Sequence, residues 1–344
     1  MNKKIILIGP CGGGSMPNNG ASAKNYHLIE FLKNKGFILQ VIDTEHWRKN
    51  PFILIKLLFS IILNPNALFI VAADSMSAYK VITIIYYLPI TRSVIYWVIG
   101  GSVANWIKDR KIRVKPYKKL KWIIVEGKKM KETLEGCGFD TNVIYVPNFK
   151  NITYQPRLQN THKGTMRFIF LSRIIPEKGC NTILDAVEIL NSENLDFSVD
   201  FYGPVEQSYK YEFEYRIKNI PNASYNGFID LRNQKNYDTL AEYDAMLFPT
   251  YWHGEGFPGI IIDAFIAGLP VIASDWNLNA DIIENGKTGI ILKGNNVDAL
   301  VDEMKAFIKE RDKVKIMSCY CYKTAMIYDI KNVLSEELIK KMVL

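Results

Sequence analysis

The sequence predicts an α/β protein of two doubly wound parallel-sheet domains, and three observations lead there. Short runs of β-branched and other apolar residues alternate with longer amphipathic stretches along most of the chain, the pattern of βαβ units in a parallel sheet. The alternation pauses once, in the polar stretch 148–164, and then restarts, as it does at a boundary between domains. The chain has 344 residues, 48% hydrophobic and 23% charged, too many for one ordinary core and too apolar for disorder. The expected domains are residues 1–152 and 153–325, with a terminal helix over 326–344 returning to pack on the first.

The first strand is expected at residues 4–8, where Ile5-Ile6-Leu7-Ile8 follows two lysines and ends in Gly9-Pro10; the run is too short for the apolar region of a signal peptide. Further strands are expected at 38–43, 67–72, 93–98, 122–125 and 142–146. Helices lie between them at 21–35, 75–86, 114–120 and 128–136, the last stopped by Gly136. In the second half strands are expected at 167–171, 197–202, 223–225, 245–248, 271–273 and 289–292, and helices at 180–190, 208–220, 234–243, 259–267 and 297–310. From residue 312 onward the periodicity is helical, with no strand. The apolar stretches 51–63 and 81–101 are broken by Lys56, Pro89 and Thr91-Arg92, so neither offers the ~18–20 uninterrupted apolar residues of a spanning helix.

Charge divides the chain. Residues 1–160 hold 23 Lys and Arg against 9 Asp and Glu, a balance of +14; residues 161–344 hold 20 against 26, a balance of −6. Eleven of the basic residues fall between Lys108 and Lys131, against only Asp109 and Glu126. Such a cluster beside aromatic and apolar residues attracts phosphates, of which an anionic membrane surface is one source, or else is a solvated helix face. It contains no recognised nucleic-acid reading module, so nucleic acid is not expected as a partner. The five cysteines are odd in number and scattered, without C-x-x-C spacing, which points to reduced thiols and a cytoplasmic location. No His or Cys cluster suggests a metal, and no cofactor is expected.

Ligands of open parallel sheets bind beyond the carboxyl ends of strands, at loops leading into helices. Three loops have that position. After the first strand, residues 9–20 include Gly12, Gly13 and Gly14 and end at Gly20; they are either a phosphate cradle or a tight structural turn. They match neither the dinucleotide fingerprint, which would need Gly where Pro17 stands, nor the P-loop. After the strand at 167–171, Arg173 and Lys178 place two cations before Gly179, suited to a departing diphosphate unless Arg173 merely pairs with Glu177. After the strand at 245–248, His253, Glu255 and the run Gly256-Phe257-Pro258-Gly259 lead into a helix bearing Asp263. Backbone amides there suit a diphosphate, and the two carboxylates suit hydroxyls, a geometry for a sugar nucleotide. His253 lies among these residues and is a candidate contact; His27, His46 and His162 are read as structural or exposed.

Together these loops resemble glycosyltransferase family 4, of the GT-B fold and the retaining type found in bacterial surface-polysaccharide synthesis. Arg173 to Lys178-Gly179 is similar to its R-x-x-x-x-K-G loop. Residues 255–263 are similar to its E-x(7)-E signature, with Asp263 where a second Glu is usual. Val146-Pro147-Asn148 and Glu284-Asn285-Gly286-Lys287-Thr288-Gly289 are similar to two further motifs. The resemblance implies two Rossmann-like doubly wound domains facing a central cleft, and a retaining, metal-independent transfer of a hexose from a UDP- or GDP-linked donor to a glycan. It implies that Glu255 contacts the donor sugar, that Asp263 holds the ribose, and that Arg173 and Lys178 hold the diphosphate. Gly256, Phe257, Pro258 and Gly259 would line the donor pocket, Gly227, Phe228 and Ile229 would lie near the base, and Gly101 and Ser102 would shape the acceptor side. The acceptor expected is a lipid-linked or free oligosaccharide for capsule, O-antigen or exopolysaccharide, reached by an enzyme peripheral on the inner face of the plasma membrane. A nucleotide-sugar epimerase and a non-catalytic binding protein of the same architecture are the alternatives.

Overall fold

The computed structural model describes residues 3–13, 20–89, 92–156 and 164–343. The chain divides into two compact units, one made of Met1–Asn151 with Ile330–Leu344 and the other of Ile152–Asp329. In the first, strands β1 (Lys4–Gly9), β2 (Ile38–Asp43), β3 (Leu68–Asp74), β4 (Ser93–Ile99), β5 (Trp122–Val125) and β6 (Val143–Tyr145) form one sheet in the order β2-β1-β3-β4-β5-β6. In the second, β7 (Met166–Leu171), β8 (Phe197–Tyr202), β9 (Ala223–Tyr225), β10 (Ala245–Phe248), β11 (Val271–Ser274) and β12 (Gly289–Leu292) lie in the order β12-β11-β10-β7-β8-β9. Every neighbouring pair is parallel.

Burial of both sheet faces explains the continuous apolar runs. Along β1, Ile6 and Ile8 enter one core while Ile5 and Leu7 enter the other. Along β7, Phe168 and Phe170 face one layer of helices and Ile169 and Leu171 the opposite layer. In each sheet the order reverses once. The chain leaves β7 for β8 and β9, then returns to its other side for β10, so the carboxyl ends of β7 and β10 flank a topological switch point where a ligand fits between diverging loops. The corresponding point of the first sheet lies between β1 and β3. There Gly9 is required by space, because a Cβ on it would sit 2.0 Å from the carbonyl oxygen of Ala72.

Some segments add to or differ from the sequence reading. The apolar stretch after β2 is a helix, Phe52–Leu63, begun by Pro51 with the Asn50 side chain accepting from the Phe52 amide (3.1 Å). Of the polar stretch 148–164 expected between the domains, residues 157–163 lie outside the described residues. Phe149 is buried in the first unit and Ile152 in the second, and Gln234 Oε1 accepts from the Tyr154 amide (3.0 Å). Residues 330–343 return to the first unit, where Ile330, Leu334, Ile339 and Met342 are buried beside Leu28 and Phe31. The Ile330 amide donates to the Lys150 carbonyl (2.8 Å).

Candidate active site in the second unit

The loop after β7 makes one 3-10 turn, Pro176–Lys178, and passes through Gly179 into the helix Cys180–Asn191. Gly179 has φ +87, and a Cβ there would lie 2.4 Å from the Pro249 carbonyl oxygen. Only glycine lets this loop close onto the chain leaving β10. The contact is tied by the Tyr251 amide donating to the Glu177 carbonyl (2.8 Å). A second close approach, of Gly203 after β8 to the Ser172 carbonyl, holds the start of the same loop.

These ties bring Lys178 and Glu255 together. The Lys178 ammonium donates to Glu255 Oε2, and both side chains are at least nine-tenths buried. The Thr250 hydroxyl stands 3.3 Å from the same carboxylate oxygen and 3.3 Å from the Glu177 carbonyl. The Lys178 ammonium also lies 5.5 Å from the Phe248 ring centroid. Burying two charges is costly unless they are paired and hydrogen-bonded; here the partners are supplied by the ends of β7 and β10. Arg173 is half-buried, its guanidinium 5.1 Å from the Trp252 ring centroid. The loop after β11 closes the third side: Trp276 Nε1 donates to the Trp252 carbonyl (2.8 Å) and Asn277 Nδ2 to the Glu255 carbonyl (2.9 Å). Arg173, Lys178 and Glu255 thus belong to one cross-tied set of loops at the switch point.

The other expected residues are distributed around it. His253 is exposed, with its ring 5.5 Å from that of Trp276. Gly256 and Pro258 precede the helix Gly259–Ile266, whose first residue is Gly259. Phe257 turns its ring into the core, edge-on to Tyr328 at 5.5 Å, so only its backbone belongs to the loop. Asp263 is buried within that helix and accepts a hydrogen bond from the Tyr237 hydroxyl (2.6 Å). Burial, then the nearby carboxylate, pushes the Tyr237 phenol well above its ordinary pKa. The Tyr237 ring stacks on Tyr154 at 5.4 Å. After β9, Gly227 has φ +80 with open space where a Cβ would point, Phe228 is 65% exposed and Ile229 packs on the core. Three residues on, Arg232 grips Asp230 through both carboxylate oxygens (2.7 and 2.6 Å), which lowers the Asp230 pKa.

In the first unit, Asp43 at the end of β2 accepts from the Cys11 and Gly13 amides (2.9 and 2.7 Å) and pins the start of the glycine-rich loop. Gly13 has φ +61, and a Cβ there would meet the His46 ring at 2.7 Å. Gly14 lies outside the described residues, and Gly20 opens the helix Gly20–Asn34, where an added Cβ would meet none of the described residues within 4 Å. Gly101 and Ser102 precede the helix Val103–Lys108 without a side-chain cap from Ser102. The sequence reading missed Thr250, Trp252, Trp276 and Tyr237. Thr250 and Trp252 lie within the motif-bearing loop, but Tyr237 is 26 positions from Asp263 and no local pattern marks it.

Residues 155–324 match the family model of glycosyl transferases group 1. The 2-deoxystreptamine N-acetyl-D-glucosaminyltransferase of Niallia circulans is 30% identical over 148 residues, 43% of this chain and 37% of that protein. The capsular polysaccharide biosynthesis glycosyltransferase CapM of Staphylococcus aureus is 24% identical over 146 residues, 41% of this chain and 36% of its own length. Both alignments therefore span well under half of the relative. The crystal structure of Anabaena Alr3699/HepE in complex with UDP and glucose superposes with a TM-score of 0.73 at 15% identity, covering 100% of both chains. Residues 155–324 thus carry the match to the glycosyl transferases group 1 family, and the two six-stranded parallel sheets have the GT-B fold.

Proposed function

We propose that this chain is a retaining, metal-independent hexosyltransferase that moves a sugar from a UDP- or GDP-linked donor to a glycan acceptor, lipid-linked, in the assembly of capsule, O-antigen or exopolysaccharide. The observation that carries the reading is the buried Lys178–Glu255 pair at the switch point of the second sheet. With Arg173 on the same loop as Lys178, packed against Trp252, and a helix amino terminus at Gly259, the site offers two cations and a helix dipole to a diphosphate, and one carboxylate to hydroxyls.

In this reaction the bond between the anomeric carbon and the β-phosphate oxygen breaks, and the nucleoside diphosphate leaves with the electron pair. The acceptor hydroxyl forms the new bond on the same face and gives its proton to the departing phosphate. Charge grows on the β-phosphate as the bond lengthens, and in this reading Lys178 and Arg173 supply the compensating charge. Before the donor binds, Lys178 and Glu255 neutralise each other; the diphosphate then takes Lys178, and Glu255 turns to the sugar hydroxyls. Phe228 offers an exposed ring for the base after β9, and Asp263 supports the ribose through its hydrogen bond to Tyr237. The basic segment between Lys108 and Lys131 draws the protein to anionic lipid on the cytoplasmic side, where a lipid-linked acceptor resides.

The relatives' names support the reading, since one is a capsular polysaccharide glycosyltransferase and the other transfers N-acetylglucosamine. The direct test is a thermal-shift screen of UDP-, GDP- and other nucleotide sugars, in which the true donor stabilises the protein in proportion to RT ln(1 + [L]/Kd). Saturable stabilisation by one nucleotide series is the expected result. A folded protein that responds to none of them contradicts the donor site.

A further inference from the structure

The outer face of the helix Phe52–Leu63 is apolar except for the exposed Lys56 at its edge. Leu57 and Ile61 anchor it in the core beside Ile42 and Phe69. Phe52, Ile55, Phe59, Ile62 and Leu63 are exposed by 73, 48, 59, 49 and 71%. Their spacing places them in one outward stripe, where a helix facing water carries charged and polar residues. A cluster of large apolar side chains in this position marks a surface that is covered in use.

What lies beside the stripe identifies the cover. At the carboxyl end of the helix, Arg92 Nε donates to the Ile61 carbonyl (2.9 Å). Arg92 and Lys119 also line a cavity of about 360 Å³ whose walls include Ile82, Ile85, Leu88 and Leu120. Leu120 is shared with a second cavity of about 390 Å³, lined by Lys118, Lys121, Phe139 and Asn142. Both lie at the amino ends of β4 and β5, the edge of the sheet opposite the glycine-rich loop. The unit that carries them has 25 Lys and Arg against 11 Asp and Glu. An apolar stripe next to cationic hollows complements a phospholipid surface, with hydrocarbon for the stripe and phosphates for the hollows.

We propose that the helix Phe52–Leu63 seats in the boundary between headgroups and acyl chains of an anionic bilayer, with lipid phosphates held in the two cavities lined by Arg92, Lys118, Lys119 and Lys121. This rests on the membrane-associated reading above and deepens it. The basic segment supplies attraction, and the helix supplies the inserted surface that no charge cluster could provide. The glycine-rich loop, on the opposite edge of the sheet, stays clear of the bilayer.

The test is flotation of the full chain with phosphatidylcholine vesicles, with and without phosphatidylglycerol, at low and high salt. Two paired variants accompany it, Phe59→Ser with Ile62→Ser and Lys118→Glu with Lys119→Glu. Their fold is checked by the thermal midpoint and their molar mass by light scattering. The wild-type chain is expected to float with anionic vesicles and to be released by salt. The serine pair is expected to lower partitioning by roughly tenfold or more from lost apolar burial, and the glutamate pair by at least about tenfold from lost attraction. Flotation that survives the serine pair overturns the helix assignment and leaves the membrane-associated reading standing. A wild-type chain that floats with no vesicle overturns both. A dimer that the serine pair converts to monomer, without vesicle binding, makes the stripe a self-association face and overturns the proposal.

Discussion

Lys178 and Glu255 are 77 positions apart and form a buried ion pair that joins the chain leaving β7 to the chain leaving β10. Each is the counter-charge of the other, so the pair ties the integrity of the loops to the chemistry assigned to them. Lys178→Ala and Glu255→Ala are each expected to lower kcat/KM by roughly a hundredfold, as for loss of a preorganised electrostatic contact. Each also leaves a buried charge unpaired, at a cost of about 3–5 kcal/mol. Glu255→Gln keeps the volume and separates the two effects. Initial rates with the responding nucleotide sugar, beside urea unfolding curves, make the measurement; near-wild-type rates in a folded variant would remove the residue from the site.

Asp263 is buried and accepts a hydrogen bond from the Tyr237 hydroxyl rather than standing open. Tyr237→Phe removes the hydroxyl that donates to it and is expected to cost about 1–3 kcal/mol of stability through the under-satisfied buried carboxylate. Asp263→Ala is expected to weaken donor binding with a smaller change in kcat. Calorimetric titration of the donor into both variants checks this, and an unchanged affinity in Asp263→Ala would end its ribose role.

Gly179 holds a conformation and a contact that a side chain forbids. Gly179→Ala places a Cβ against the Pro249 carbonyl at a positive φ, with about 1–2 kcal/mol from the backbone alone and further loss from displacing the β10 loop. Denaturant unfolding and donor affinity are both expected to fall. Stability that falls with donor affinity intact would show that the loops tolerate separation.

His27, in the helix Gly20–Asn34, lies edge-on to Tyr26, and burial followed by the Lys150 charge depresses its pKa to about 3. The unfolded chain takes up this proton near pH 6.5, so between those values the unfolded state carries the extra proton. The stability is complete above pH 6.5 and is lost as pH falls toward 3, with a slope of at most about 1.4 kcal/mol per pH unit. Urea unfolding at several pH values, for wild type and His27→Gln, checks it; an equal acid slope in both would acquit the histidine.

The loops carrying Arg173, Lys178 and Glu255 were legible because each follows a buried strand directly, and strand ends are where a parallel sheet presents its loops. The alternation of short apolar runs placed the twelve strands of the described residues to within a few positions; central strands such as β1, β3 and β10, covered on both faces, have no polar interruption, while the edge strands β2 and β9 carry Gln40 and Ser224. The stretch expected as one helix over 234–243 is instead a 3-10 turn, Gln234–Asn236, followed by Tyr237–Leu240. Asn233 caps the turn and the Asn236 side chain donates to the Asp230 carbonyl (2.8 Å), local polar bonds that compete with a longer helix. The helix Phe52–Leu63 escaped notice for another reason. Apart from Lys56 its outer side is as apolar as its inner one, and Ser60 is the buried polar residue, so no amphipathic period marks it.

The return of residues 330–343 to the first unit has a consequence for the order in which the protein is made. Ile330, Leu334, Ile339 and Met342 complete a core that begins with Ile5 and Leu7, yet the whole of the second unit is synthesised between them. The second unit, contiguous in sequence, can fold as soon as it leaves the ribosome. The first unit, begun earlier, waits with one sheet face partly uncovered until its last helices arrive, and that interval is when nascent chains need a chaperone most.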